Sequence, residues 1–328
     1  MAGGRSQPLD GARGQTGRYG LWRAISGTPA MLGSLLLLVV AFGALGRWAG
    51  LVLLSWGACG PVMLTRVGER IAVRATCRFH RPSPAQAAAL QPLWTAALRM
   101  SGTAAVAVDL YIQPARRANA YAVGRRSVAV TSRVAEDYRA GRLPEDQMVA
   151  VMVHELGHHA TRATRPMLLL AWLAMPWRLA ARLLTGLGIA LAGPQTRHGL
   201  VMVVCAGTTV AVACALHQGQ LLVGGVLLAV GLAAVICPLA DAAVSRRAEF
   251  AADRFAADHG LALELAAALS ALDDGRCTAS GWLWRLLASH PMPDRRISVL
   301  LAAADASPVR RPVSGGAAFA APPGAPDG

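Results

Sequence analysis

The chain has 328 residues, of which 54% are hydrophobic and only 15% charged, and its net charge is +14. That balance excludes an ordinary soluble enzyme and describes a membrane protein, long enough for one sizeable domain plus membrane segments or for two small domains. Every basic residue is arginine, and the arginines flank apolar segments rather than forming an aromatic-interleaved patch, so they read as membrane-orienting charge and nucleic acid is excluded as a partner. None of the six cysteines forms a C-x-x-C pair, which argues against a disulfide framework or a cysteine zinc site.

Residues 1–28 are rich in Gly, Arg and Gln and are expected to be a disordered basic N-terminus. Residues 29–66 follow as a transmembrane hairpin. Met31–Leu64 is apolar apart from Arg47, which with Trp48 divides it into halves of about 16 residues. One long tilted helix with Arg47 snorkelling is the alternative. Arginines stand before the segment (Arg5, Arg13, Arg18, Arg23) and after it (Arg66, Arg70, Arg74, Arg78, Arg81), and a hairpin satisfies the positive-inside rule at both ends.

Residues 67–165 read as the first part of a catalytic domain. Pro84–Met100 is an amphipathic helix; Ala105–Ile112 and Ser127–Thr131 read as strands, with Tyr121–Gly124 between them. A strand near a catalytic cleft holds a peptide by backbone hydrogen bonds, and Asn119 then orients that strand or the substrate; as a turn residue after Arg116-Arg117 it is equally well explained. Pro144, Glu145 and Asp146 open the next helix. That helix carries His154-Glu155-Leu156-Gly157-His158, an H-E-x-x-H motif. At i and i+4 the two histidines share a face and grip one metal ion, while Glu155 reaches a water bound to it. Gly157 keeps the surface beside the metal thin. The bland alternative is a helix with two surface histidines. His159 is expected beside the site or exposed.

Residues 166–240 form a membrane insert. Met167–Ala192, Leu200–Leu216 and Leu221–Leu239 are all apolar, but the metal ligands on either side must lie on one side of the bilayer, so the crossings between them must be even in number. Met167–Ala192 carries Pro176, Arg178 and Arg182, and charge at the bilayer centre costs at least ~2.5–3.5 kcal/mol per group. It is therefore expected to be interfacial or re-entrant, with Leu200–Leu239 as the spanning hairpin. Residues 241–305 form the second part of the catalytic domain. There Glu249 supplies the third ligand, and two His plus one Glu leave a fourth position for water, the catalytic zinc pattern. Asp253, one turn on, accepts the free N–H of a ligand histidine. A solvated face pairing with Arg246 and Arg254 is the alternative for both acids. Residues 306–328 read as a disordered tail.

Four segments resemble the HtpX / CAAX-prenyl-protease family of integral-membrane zinc metalloproteases: His154 to His158; Glu249-Phe250-Ala251-Ala252-Asp253; Asn119-Ala120-Tyr121-Ala122-Val123-Gly124; and His290-Pro291 followed by Arg296-Ile297. They occur in the family's order across about residues 80–300. The resemblance implies an α+β zincin-type metalloprotease domain, mostly helical, combined with transmembrane helical hairpins. It also implies one Zn2+ per chain, His290 as oxyanion donor and Arg296 as a support of the cleft. The expected function is a multi-pass cell-membrane endopeptidase acting on peptide or membrane-protein substrates at the cytoplasmic side, in quality control or regulated proteolysis. The alternative is a zincin-fold membrane sensor or scaffold. A dead scaffold is expected to lose Glu155, which is intact.

Overall fold

A computed structural model describes residues 10–43, 46, 48–165, 167–193, 196–272 and 291–306. The first helix, α1 (Asp10–Phe42), is followed after a short break by α2 (Trp48–Val62). These are the two arms expected around Arg47. The helix starts well before Met31, however, and its backbone runs back into residues expected to be disordered. Once the apolar half forms, each added residue gains one backbone bond at little cost, so the helix propagates.

At Thr65, whose hydroxyl accepts from Gly68 N–H, the chain turns by 103° into α3 (Arg66–Cys77). Then α4 (Pro84–Met100) begins at a Ser83–Gln86 capping box and buries Leu90, Leu93, Trp94, Ala97 and Leu98, the i, i+3, i+4, i+7 stripe of a core-facing helix. Three strands follow: β1 (Asp109–Gln113), β2 (Ala120–Val123) and β3 (Ser127–Thr131), in the order β1–β3–β2. β1 is parallel to β3, and β2 is antiparallel to it. The first strand begins four residues later than its composition implies. Residues 104–107 are spent on a turn, closed by Ala107 N–H donating to Ala104 O, and Val106 faces outward. The segment between β1 and β3 in the chain is itself a strand, and it forms one edge of the sheet.

β3 is buried on both faces. Val128 and Val130 join the main core with α4 and with α6 (Glu145–Ala160), while Ala129 joins Val73, Phe79 and Tyr111 in a second cluster under α3. A short α5 (Ser132–Arg139), capped by Thr131, connects the sheet to α6. The β2–β3 turn is held by a buried acid. Glu69 of α3 is 2% exposed; its carboxylate accepts from Arg125 N–H, Arg126 N–H and the Ser127 hydroxyl. Gly124 turns there at φ +64°, and a Cβ would stand 2.7 Å from the Glu69 carboxylate. The site therefore needs glycine for both conformation and space.

Beyond the H-E-x-x-H helix, α7 (Met167–Leu173) and α8 (Met175–Ala192) form a pair bent by 60°. The pair is packed against α1 and α2. Trp172 Nε1–H donates to Trp56 O at 2.9 Å, Trp177 N–H donates to the Ser34 hydroxyl at 3.1 Å, and Gly33 and Gly60 make room for Trp177 and Leu169. α9 (Thr196–His217) and α10 (Leu221–Asp258) then pair as a hairpin. α10 is one helix of 38 residues, about 57 Å long at 1.5 Å per residue. The expected domain boundary at 240/241 falls inside it. Its first half exposes Leu222, Val226, Leu228, Val230, Leu232 and Val235, and its second half buries Ala248, Glu249, Ala252, Asp253 and Ala256. Among the described residues, two helical stretches, Tyr19–Phe42 and Leu221–Asp258, are long and apolar enough to cross a membrane, or up to four spans if each bent pair counts as one. α11 (Ala262–Leu272) and α12 (Pro293–Ala306) close the domain against α6 and α10.

Candidate metal centre

The centre forms where α6 crosses α10. Residues Met148 to His158 are all buried, so the polar His154, Glu155 and His158 lie inside the protein, not on its surface. Gly157 faces α10: a Cβ there would stand 3.1 Å from both Ala252 Cα and Phe255 Cβ. A glycine at this contact lets the two helices approach closely enough for their side chains to meet.

Across that contact, Glu249 Oε2 lies 3.5 Å from His154 Nε2, and Glu249 Oε1 lies 3.5 Å from His158 Nε2. One donor atom from each of the three residues lies within 4.8 Å of the other two, a set that fits a single divalent cation. The two imidazoles are edge-on, 83° apart. Behind them, Asp253 Oδ1 stands 3.0 Å from His154 Nδ1, off the line of the ring N–H. With the proton on Nδ1, the Nε2 lone pair faces the donor cluster.

Asp253 is held from the other side by a forked guanidinium. Arg296 Nε and Nη2 donate to its two oxygens at 2.8 and 2.6 Å, and Arg296 Nη1 lies 3.2 Å from Glu249 Oε2. Arg296 Nη2 also approaches His154 Nε2 to 3.3 Å. Glu249 and Asp253 are 7% and 1% exposed, and Arg296 of α12 pairs with both. That removes the solvated-face alternative. Arg296, expected to support the cleft, sits at its centre.

Burial lowers the pKa of His154, but the neighbouring Asp253 and Glu249 carboxylates outweigh it and hold the group up at about 9. Burial and the nearby His154 push His158 down to about 3. His159 points the other way: its Nε2–H donates to Ser127 O at 3.2 Å, leaving Nδ1 to accept from the Thr164 hydroxyl, so it ties α6 to β3.

The three donors open onto a cavity of about 280 Å³ lined by Glu155, by β2 from Asn119 to Val123, and by Leu265, Leu269 and Leu272. Among the described residues, β2 pairs only with β3, so its outer edge is free. Asn119 begins that strand: its side chain accepts from Ala120 N–H, and its own N–H donates to the Thr131 hydroxyl. It is part of the cleft wall. His290 lies outside the described residues. Sequence reasoning missed Arg23 and Ser245, which also line the cleft, and Glu69 behind it. No local spacing links α1 or α3 to the H-E-x-x-H helix.

An i,i+4 histidine pair facing a carboxylate from a second helix, in a protein that exposes long apolar helices, is the centre of a membrane-associated metalloprotease. The chain belongs to peptidase family M48, whose model matches residues 84–304. It is similar to proteins named Protease HtpX homolog. One, from Trichormus variabilis, is 26% identical over 307 residues, covering 84% of this chain and 94% of the relative. Another, from Acidiphilium cryptum, is 29% identical over 255 residues, covering 75% of this chain and 78% of the relative. A third, from a Nostoc species, is 28% identical over 310 residues, covering 84% of this chain and 94% of the relative.

Proposed function

We propose that the chain is a zincin-type, zinc-dependent endopeptidase, embedded in the cell membrane as a multi-pass protein, with its active site facing the cytoplasm. His154, His158 and Glu249 hold one Zn2+, with Asp253 fixing the tautomer of His154. A zinc ion held by these three residues would supply Lewis-acid chemistry, polarising the scissile carbonyl and lowering the pKa of a bound water towards ~7. Glu155 takes the proton of the attacking water and passes it to the leaving amine. His290 donates to the oxyanion, as the family resemblance implies. The free edge of β2 pairs with the extended substrate, and Asn119 sets the end of that edge. Arg296 keeps Asp253 and Glu249 in place.

One observation carries this reading: three metal donors from two helices meet beside a buried Glu155, in a cleft walled by an unpaired strand edge. The substrates are peptides and membrane proteins, in quality control or regulated proteolysis, because α10 carries the ligand Glu249 directly out of its apolar half. Two spanning hairpins, α1–α2 and α9–α10, meet the even-crossing requirement. The bend between α7 and α8, and their packing on α1 and α2, favour a re-entrant insert over an interfacial one. Casein cleavage by detergent-purified protein is the test. Wild type is expected to cut and Glu155→Gln to be inactive; equal activity in both would refute the assignment.

A further inference from the structure

The metal cleft contains two arginines in opposite circumstances. Arg296 spends its fork on Asp253 at 2.6 and 2.8 Å. Arg23, from the first membrane helix, lines the same cavity with its side chain only 11% exposed, yet its donors are barely used. Its Nη2 reaches the Ser245 hydroxyl at a long 3.4 Å, and its Nη1 is 4.0 Å from Asp241, a side chain that is half exposed. Its Nε is buried with no hydrogen-bond partner. A guanidinium has five donors in a planar fork and is costly to bury without a matching acceptor. A tether between α1 and α10 would be expected to close on Asp241, as Arg296 closes on Asp253. Here the side chain borders the cleft with that closure unmade.

We propose that Arg23 is a specificity-determining residue that takes a carboxylate of the peptide substrate, about two residues from the bond that is cut. The proposal rests on the peptidase reading of the cleft. Position follows from α10. Arg23 stands at Ser245, four residues before Glu249, which is about 6 Å along the helix axis. An extended peptide advances ~3.3 Å per residue, so a spacing of about 6 Å corresponds to about two residues of a bound chain. That separation takes Arg23 away from the reacting carbonyl and gives it a subsite role. A carboxylate, planar and two-toothed, matches the fork and supplies the missing acceptors. Two sources share this chemistry: an internal Asp or Glu side chain, and the free C-terminus of the substrate.

Fluorescence anisotropy of labelled peptides on the full-length Glu155→Gln protein in detergent, loaded with zinc, separates these cases. One peptide series carries a single Glu moved along an otherwise neutral, C-terminally amidated sequence, with Gln in the matched controls. A second series has no Glu and ends in a free or an amidated carboxyl group. The expected result is about 10- to 100-fold tighter binding of one carboxylate position over its neutral partner, the range of a charged hydrogen bond. Arg23→Gln should remove that preference, Arg23→Lys retain part of it, and Arg23→Glu turn it towards a Lys-bearing peptide. Asp241→Asn, which would loosen a mere tether as much, should leave the preference in place. Equal binding of all peptides, or a preference that survives in Arg23→Gln, would overturn the proposal. So would Arg23-dependent binding of phosphatidylglycerol vesicles without peptide discrimination, which would assign the cation to headgroups. Discrimination by a protein whose wild type cuts neither peptide would keep Arg23 in this role and remove the peptidase reading instead.

Discussion

Asp253 and His154 face each other at 3.0 Å, carboxylate to Nδ1, from two helices that touch through Gly157. The pair shows how the centre is built: one helix supplies the imidazoles, and the other supplies both the acid beside the metal position and the acid behind it. If Asp253 fixes the tautomer, Asp253→Ala should weaken zinc binding by about 10- to 100-fold. It also strips Arg296 of one of its two buried carboxylates, leaving Glu249, so the protein should lose up to about 3–5 kcal/mol of stability. Chelator competition and thermal melting read the two effects. Unchanged zinc affinity would make Asp253 only a partner of Arg296.

The same pair sets a pH dependence. In the metal-free protein His154 is held at about 9, above its usual 6.5, so its contribution to stability is complete below about 6.5 and is lost as pH rises through 9. His158 is pushed down to about 3, so its contribution is present above 6.5 and is lost as pH falls through 3. Metal binding needs both rings neutral. At pH 6, below the ~7 expected for a zinc-held water, zinc should therefore release about one proton, from His154. Calorimetry in buffers of different ionisation enthalpy measures it, and no proton release would contradict the assignment.

The close α6–α10 contact makes Gly157 sensitive. A methyl at 3.1 Å from the Ala252 backbone cannot be absorbed by a side-chain rotation, so Gly157→Ala should push α10 outward by a few tenths of an ångström. Zinc affinity should drop while helix content is preserved. Affinity equal to wild type would show that the contact has slack.

The cluster proposed to hold the metal was legible because its geometry is local. His154 and His158 are one helical turn apart, and so are Glu249 and Asp253, so each pair's shared face follows from its spacing. The amphipathic stripe of α4 was legible for the same reason. Arg23 and Glu69 were not, since each acts on residues far away in sequence and no period marks them. Arg23 read only as flanking charge. The continuity of α10 was hidden because Pro238 and Asp241 mark a change from apolar to polar composition, whereas the helix continues past both, with one ladder hydrogen bond unmade at Pro238, which has no N–H.

Topology is testable by cysteine labelling with an impermeant reagent, in a background without native cysteines. Probes at Gly46 and Gln218, in the turns of the two proposed hairpins, should label from outside intact cells. Probes at Ser83 and Ala306 should label only after the membrane is opened. Outside labelling at Ser83 would reverse the orientation.

Metal content across three purified proteins tests the central claim most directly. Elemental analysis should find about one zinc per chain in wild type and in Glu155→Gln, because Glu155 is proposed to move protons and not to ligate. The His158→Ala protein should carry none, since the i,i+4 pair is broken. Stoichiometric zinc in His158→Ala, or its loss from Glu155→Gln, would contradict the proposed centre.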